Sequence, residues 1–290
     1  MKSRRWLSAF ALAAGLGVSS VSFADITGTV KLDGEAPEPA QIDMSAVKEC
    51  ATQHPDGAFE ETIVAADGKL ANVVVSVKAD NLQGEASKEP AVIDQKGCQY
   101  HPHVVAVMVG QPIVVKNDDT FLHNVHALSI DNPAFNFGQP TKDLKGRPVE
   151  PMKVAERFKI KCDVHPWMGA HMLVFEHPYF AVSKEDGTFK IPGNLPDGEY
   201  TLVAWHEKLG EQEAKVTVAG GKAEAEFTFK AAAAKADTVG NPAGVKLASL
   251  EKGAVKTVSA KGEACCEVTK AKAVKAVAQA KPERPQASAK

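Results

Sequence analysis

The sequence predicts an all-β fold built from short strands. Its 290 residues contain many valine-rich runs in which apolar and polar side chains alternate, as in residues 25–31. Such alternation indicates a half-buried strand, because successive side chains of a strand point to opposite faces of the sheet. Turn residues bound these runs, which follow one another at close and regular spacing. This spacing favours a β-sandwich or a β-barrel.

The N-terminal half is predicted to hold five strands and one short helical turn. The predicted strands are residues 25–31, 70–77, 91–94, 104–109 and 113–116. Residues 34–39 interrupt the pattern with Gly and Pro, and residues 44–51 favour the helical turn. Gly110-Gln111-Pro112 separates the last two strands, as turn residues do between apolar runs.

The C-terminal half continues in the same way after an irregular loop. Residues 131–151 carry repeated Gly and Pro, which predicts that loop. A strand at 154–161 then leads directly into Cys162. The strands predicted after it are 172–176, two strands within 180–191 around a turn at 185–187, and then 195–205, 213–218 and 223–229.

Both chain ends differ from the body. Residues 1–24 have three basic residues, a short apolar core and a small-residue site, which predicts a secretory signal cleaved after about Ala24. The alternative is an N-terminal membrane anchor, although the apolar run is short for a span of about 20 residues. We expect an exported, periplasmic protein with no membrane span after signal removal. Residues 230–290 are rich in Ala and Lys, which predicts a disordered tail.

Charge and cysteine content narrow the class of protein. The chain has 34 Lys+Arg against 36 Asp+Glu, and the acidic residues are concentrated in the body. An acidic body argues against nucleic acid as a partner. Exported proteins usually pair their cysteines, and five is an odd number. If Cys162 holds a metal, Cys50 and Cys98 could form a disulfide. Cys265 and Cys266 are adjacent in the tail and have no assigned role.

The candidate metal ligands lie in one short segment and in one more distant position. Cys162, His165 and Met168 place a thiolate, an imidazole and a thioether within seven residues. Zinc seldom takes a thioether, whereas blue-copper sites use two His, one Cys and a weak axial Met. One further His is therefore needed. His123, which follows an apolar strand, is the best candidate.

Other residues compete for these roles. His126 is the backup for His123, although three residues along a strand place it on the opposite face. Met172 is the backup axial ligand. His101 and His103 are two residues apart and share a face, so they could form a second metal site.

These motifs together resemble the cupredoxins, the type 1 blue copper family. The resemblance rests on Gly110-Gln111-Pro112, Asn117-Asp118, His123-Asn124-Val125 and the C-x-x-H-x-x-M loop, which is amicyanin-like. The block from about Cys98 to His206 also resembles the proteins labelled methylamine utilization proteins. The resemblance implies a Greek-key β-sandwich holding one type 1 copper, as Cu(I) or Cu(II), in a His₂CysMet site.

The same resemblance implies roles around the ligands. Asn124 would brace the ligand loop by hydrogen bonds. Pro166 and Trp167 would form an apolar docking patch, through which the edge of His165 reaches the surface and a redox partner docks. The alternative for Trp167 is an ordinary core residue.

A second resemblance concerns the flanking segments. The sequence DGTFKIPGNLPDGEYTLVAW resembles the second half of carboxypeptidase regulatory-like sandwiches, and ITGTV and NVVVSV resemble their first strands. We therefore expect residues 25–90 and 177–229 to form one Ig-like β-sandwich, with a cupredoxin domain at 91–176 inserted into it. The alternative is a simple tandem of two domains.

The predicted function is electron transfer rather than catalysis. The chain has no Ser-His-Asp signature, no H-E-x-x-H motif and no phosphate-binding loop, so we expect no enzyme activity. We expect an exported copper protein that carries single electrons. The alternatives are a periplasmic module that binds or delivers copper, and a β-sandwich that binds a partner without metal.

Overall fold

The computed structural model describes residues 25–79, 81–193 and 195–231. The predicted leader and nearly all of the predicted tail, with Cys265 and Cys266, lie outside the described residues. The described residues form twenty strands and one short helix, so the predicted all-β fold is confirmed. None of their helices is long and apolar enough to cross a membrane.

The elements of the first third of the chain include the one helix of the described residues. They are β1 (Asp25–Asp33), β2 (Gln41–Ile42), α1 (Lys48–Gln53), β3 (Ala58–Phe59), β4 (Ala65–Ala66), β5 (Lys69–Leu70), β6 (Val74–Lys78), β7 (Ala91–Lys96) and β8 (Gln99–His101). The central strands are β9 (Val104–Met108), β10 (Ile113–Asn117), β11 (His123–Ala127), β12 (Asn136–Gln139), β13 (Asp143–Val149), β14 (Arg157–Lys161) and β15 (Gly169–Phe175). The last strands are β16 (Phe180–Val182), β17 (Thr188–Ile191), β18 (Gly198–His206), β19 (Gly210–Val218) and β20 (Lys222–Lys230).

The first sandwich joins the two ends of the described chain. One sheet contains β4, β5, β1, β17 and β20, and the other has the order β16-β6-β18-β19. Strand β1 is central because it pairs with β20 in parallel along its full length and with β17 on its other side. Ile26, Val30 and Leu32 of β1 face the core at even spacing, as a strand period of two requires.

Gly28 is required at the middle of β1. A Cβ built there would lie 2.0 Å from the Ala225 carbonyl oxygen and 2.6 Å from the Phe189 ring. Only a residue without a side chain lets the Phe189 ring lie over the strand.

In the sequence, the strands of the second sandwich lie between the two segments that form the first. One sheet has the order β13-β10-β7-β8, and the other has the order β12-β11-β14-β15-β9. Between them lies a core that includes Ile93, Val115, Val125 and Phe158. This core also contains Met44, Cys50 and Ala58 from the β2–α1–β3 segment, which we had expected to belong to the first sandwich. The segment is held in the second sandwich by apolar packing and by a covalent bond, because Cys50 is disulfide-bonded to Cys98.

The two sandwiches share a third, smaller core. Val74 of β6 and Trp205 of β18 meet Val104 of β9 and Leu173 and Phe175 of β15. The four larger sheets therefore stack as successive layers, with a buried core between each adjacent pair. Strands β6 and β15 are buried on both faces for this reason, and their sequences are almost continuously apolar.

Candidate metal centre

Strand ends bring the candidate ligands together at one edge of the second sandwich. His123 is the first residue of β11, Cys162 follows the last residue of β14, and Met168 precedes β15. The loop between β14 and β15 is closed by its own backbone: the Cys162 N–H donates to the Met168 carbonyl at 3.2 Å, and the Met168 N–H donates to the His165 carbonyl at 3.0 Å. Both side chains at the loop ends therefore point into the same core.

Three of the four predicted ligands have their donor atoms within one small volume. The Nδ1 atoms of His123 and His165 are 3.0 Å apart, and the Cys162 Sγ lies 3.7 Å from His165 Nδ1. Two imidazole nitrogens bound to one ion at about 2.0–2.1 Å each are themselves about 3 Å apart. All three residues are buried. The fourth, Met168, is buried in the core cluster that also contains Cys162.

The Cys162 sulfur is held as a hydrogen-bond acceptor. The backbone N–H groups of Asn124 and His165 donate to Sγ at 3.4 and 3.3 Å. Burial raises the pKa of the Cys162 thiol, but hydrogen bonds from His123 and from these N–H groups outweigh burial, so the net pKa is lowered. The fold thus favours the thiolate, which is the form that binds a metal.

Asp119 supports His123 from behind, and our sequence analysis missed it. Its carboxylate lies 2.7 Å from His123 Nε2 and also accepts from the backbone N–H groups of Gly97 and Cys98, at 3.0 and 2.9 Å. Burial alone would raise the pKa of Asp119, but these bonds lower it to about 2. A carboxylate on the outer nitrogen fixes the ring so that Nδ1 faces the cluster. The feature of the sequence that could have identified Asp119 is its position four residues before His123.

Asn124 lies between the ligand segments. Its side-chain oxygen accepts from the backbone N–H of Asp163, in the ligand loop, at 3.0 Å, and its amide donates to Asn136 at 2.7 Å. The Tyr100 hydroxyl donates to the Asn124 carbonyl at 2.5 Å. The structure therefore ties Asn124 to the loop that carries Cys162, His165 and Met168.

The prediction that the edge of the His165 ring is exposed is wrong. The residue is 2% exposed, because its ring lies against the Cys50–Cys98 disulfide and 5.4 Å from the Trp167 ring. Trp167 is held inward, since its Nε1–H donates to the Cys98 carbonyl at 3.1 Å. Pro166 is exposed and Trp167 is half-buried. The docking patch predicted from these two residues is therefore present only in part.

The backup histidine lies outside the cluster of donor atoms. His126 is on the outer face of β11, where its Nδ1 lies 3.0 Å from an oxygen of Asp163. Met172 lies within β15 and packs in the same core cluster as Cys162 and Met168. His101 ends β8 opposite Asp94 and does not join His103, which contacts Glu207 instead.

The donor set fits copper better than the other groupings do. Among the described residues, two further groups contain Cys98, with either Cys50 and His165 or Asp119 and His123. Because Cys98 is oxidised in the disulfide, neither group offers its thiolate. The group of His123, Cys162 and His165 has a free cysteine, a thiol with a lowered pKa and two imidazoles.

Comparisons with known proteins find structural similarity only. A copper-containing nitrite reductase from Thermus scotoductus SA-01 is 18% identical over 34% of this chain with a TM-score of 0.26, and this chain spans 25% of its length. A Cu(I) mutant of amicyanin is 17% identical over 35% of this chain and 98% of its own, with a TM-score of 0.26. A purple cupredoxin from Nitrosopumilus maritimus is 21% identical over 29% of this chain and 99% of its own, with a TM-score of 0.24.

No protein-family model matches the sequence, and no curated protein matches it. The structural similarities are too low in identity and in TM-score to carry a functional conclusion. Any function therefore has to follow from the residues of the site.

Proposed function

We propose that this chain is a type 1 copper protein that carries single electrons, with His123, Cys162, His165 and Met168 as its ligands. The observation that carries the proposal is the 3.0 Å separation of the two histidine Nδ1 atoms, with the Cys162 sulfur 3.7 Å from one of them. This is a carrier rather than an enzyme.

The four side chains suit copper in both of its oxidation states. A thiolate and two imidazoles form the trigonal plane of a blue-copper site, and a distant thioether completes it. Copper bound there would supply a reversible one-electron change. The protein limits rearrangement of the ligands, because Asp119 orients His123 while two backbone N–H groups hold the sulfur.

The proposal is tested by adding Cu(II) to the purified mature protein. We expect an intense visible band from thiolate-to-copper charge transfer, which the Cys162→Ser variant loses because it has no thiolate. His126→Gln is the control and keeps the band, since His126 faces Asp163 at the surface. No band in the wild-type protein, or the same band in Cys162→Ser, would overturn the proposal.

A second candidate is copper storage or delivery without electron shuttling. It is favoured by one observation, the burial of His165 beneath the disulfide, which removes the exposed imidazole edge expected for electron exchange. A colourless protein that binds only Cu(I) and passes it to a chelator or partner would support delivery. A protein that binds no copper at all would leave the third candidate, a partner-binding β-sandwich.

We further propose that the protein is exported to a periplasm and meets a redox partner near His165. Support comes from the basic and apolar leader and from the Cys50–Cys98 disulfide, which is characteristic of oxidising compartments. The exposed Val164 and Pro166 flank His165 and offer a contact surface. N-terminal sequencing of the periplasmic fraction tests this, with a new terminus expected at about Asp25.

A further inference from the structure

A separate segment, residues 41–59, forms a cover beside the candidate copper centre. It consists of β2, α1 and β3. Among the described residues, β2 and β3 pair only with each other. The backbone hydrogen bonds of the cover also stay local, and the bond from the Glu60 N–H to the Ala40 carbonyl closes its two ends. The cover therefore adds no strand to either sheet of the second sandwich.

A disulfide is the strongest tie between the cover and the second sandwich. Three side chains of the cover are buried in the core, namely Met44, Cys50 and Ala58. Two hydrogen bonds also cross the contact: His54 Nε2 lies 2.6 Å from the Gly97 carbonyl oxygen, and the Gln99 amide donates to the Phe59 carbonyl at 3.2 Å. Each such bond contributes only about 1 kcal/mol. The bond from Cys50 to Cys98 is covalent.

Open space borders the cover on two sides. A cavity of about 380 Å³ is lined by residues of the cover itself, and one of about 500 Å³ lies between α1 and residues 118–121. Helix α1 has six residues and no side-chain N-cap. A segment with few buried contacts opens locally at a low cost in free energy. The disulfide is therefore what keeps this segment closed.

The cover lies over one of the candidate ligands. A ring nitrogen of His165 and both sulfur atoms of the disulfide lie within 4.8 Å of one another. His165 is 2% exposed, and Cys162 is 3% exposed. Since the disulfide occupies one side of the His165 ring, movement of Cys50 away from Cys98 uncovers that side.

The disulfide also acts on the other histidine of the centre. Cys98 has a φ of 56°, a left-handed backbone conformation that is uncommon outside glycine. Its N–H donates to the Asp119 carboxylate at 2.9 Å, and the same carboxylate lies 2.7 Å from His123 Nε2. The turn at Cys98 thus connects the disulfide to the orientation of His123, as well as to the burial of His165.

We propose that the thiol–disulfide state of Cys50 and Cys98 controls the access of metal to His165 and Cys162. The inference rests on the proposed function, because the centre that it regulates is the candidate copper site. While the two cysteines are thiols, the cover opens and a metal ion enters or leaves. Once the disulfide forms, the cover is latched, a bound ion is retained and the Cys162 thiolate is shielded from reagents.

The latch closes by exchange with an external disulfide. One cysteine thiolate attacks the external disulfide, which forms a mixed disulfide and releases one thiol. The second cysteine then attacks the mixed disulfide, which forms the Cys50–Cys98 bond and releases the other thiol. The two cysteines lose two electrons and two protons, and the external disulfide gains them. A dithiol runs the same exchange in reverse and opens the latch.

The first experiment measures the access of a reagent to Cys162 in the metal-free protein. In the mature Cys265→Ser/Cys266→Ser protein, Cys162 is the single free thiol while the disulfide is closed. N-ethylmaleimide labelling at Cys162 is followed by peptide mass spectrometry before and after treatment with a dithiol, which is removed first. We expect labelling to be at least about tenfold faster after reduction. Equal rates would overturn the proposal.

The variant arm fixes the latch open in the same background. Cys50→Ser/Cys98→Ser is expected to label at the rate of the reduced protein. The matched control is His54→Gln, which removes a hydrogen bond of the cover but keeps the disulfide, and it should label at the closed rate. Fast labelling of His54→Gln would contradict the role of the disulfide. Circular dichroism establishes folding, and if the serine variant fails to fold, the oxidised and reduced forms of the parent protein still decide.

The second experiment measures metal uptake. Cu(II) is mixed with the oxidised protein and with Cys50→Ser/Cys98→Ser, whose serines copper cannot oxidise to a disulfide. We expect the charge-transfer band to form at least about tenfold faster in the variant. Equal rates would overturn the latch. A band in neither protein would contradict the proposed copper function instead, and the labelling of Cys162 would then decide the latch by itself.

Discussion

At the scale of single residues, the candidate centre depends on side chains that do not themselves bind metal. Asp119 is the clearest case. It touches no predicted ligand other than His123, but it also holds the turn at Gly97 and Cys98. One buried carboxylate thereby links the orientation of a ligand to the position of the disulfide.

Replacing Asp119 with Asn tests this link. The carboxylate would stabilise the more positive Cu(II) form through the His123 ring, so we expect Asp119→Asn to weaken Cu(II) binding about 10–100-fold. If Cu(I) binding is unchanged, the reduction potential rises by about 60–120 mV, since a tenfold change in a one-electron couple is about 59 mV. Protein-film voltammetry measures it.

The control for this prediction is the neighbouring carboxylate. Asp118 is partly exposed and pairs with Lys142 and Lys96 rather than with a ligand. Asp118→Asn is expected to leave the potential unchanged. Equal shifts in the two variants would mean that charge near the site acts without any specific contact to His123.

Some residues of the site could be predicted from the sequence, and other residues and contacts could not. The loop of Cys162, His165 and Met168 is local, so its spacing indicated three of the four candidate ligands. Asp119 was not recognised, because an Asp four residues before a His on a loop has many other uses. The contact of His103 with Glu207 joins residues 104 positions apart, and no local pattern encodes it.

At the scale of elements, the β2–α1–β3 segment has an unexpected position. Helix α1 is only six residues long and lacks a side-chain N-cap, so it has little stability of its own. Its buried residue, Cys50, anchors it to Cys98 beside the ring of His165. The disulfide therefore holds a short cover over the candidate centre.

Removing the disulfide is expected to loosen that cover. Cys50 and Cys98 are separated by 48 residues, and in the chain-entropy estimate such a crosslink contributes about 4 kcal/mol to the free energy of unfolding. We expect the Cys50→Ser/Cys98→Ser protein to unfold at lower denaturant concentration. We also expect it to lose bound copper faster to a chelator, because His165 becomes accessible.

The matched control replaces the two adjacent cysteines of the tail, Cys265 and Cys266, with Ser. Those residues lie outside the described part of the chain, and their replacement is expected to change neither measurement. Copper loss at the wild-type rate from the Cys50→Ser/Cys98→Ser protein would show that the disulfide does not close the site.

At the scale of the whole molecule, four sheets stack with three buried contacts between them. The middle contact is the smallest and consists largely of Val74, Val104, Leu173, Phe175 and Trp205. The described residues nevertheless belong to one compact unit. The thermal stabilities of the two sandwiches should therefore be coupled through this contact.

Trp205→Ala tests the coupling. The residue is 7% exposed, and truncating a buried Trp costs about 3–5 kcal/mol. We expect the single calorimetric transition of the wild-type protein to separate into two, with the copper band reporting only the second sandwich. Leu144→Ala, at a residue that is 55% exposed, is the control and should keep one transition. A Trp205→Ala protein that still unfolds in one step would contradict the layered coupling.

The sequence by itself determined the all-β fold and the chemical types in the candidate centre, because strand alternation and loop spacing are local properties of the chain. It also indicated that residues 25–31 and the last strands belong together. Only the tertiary structure decided that Asp119 supports His123, that the disulfide covers His165, and that two histidines meet Glu207 between the sandwiches. The physical reason is that each of these contacts joins separate segments, whose meeting depends on how whole sheets pack.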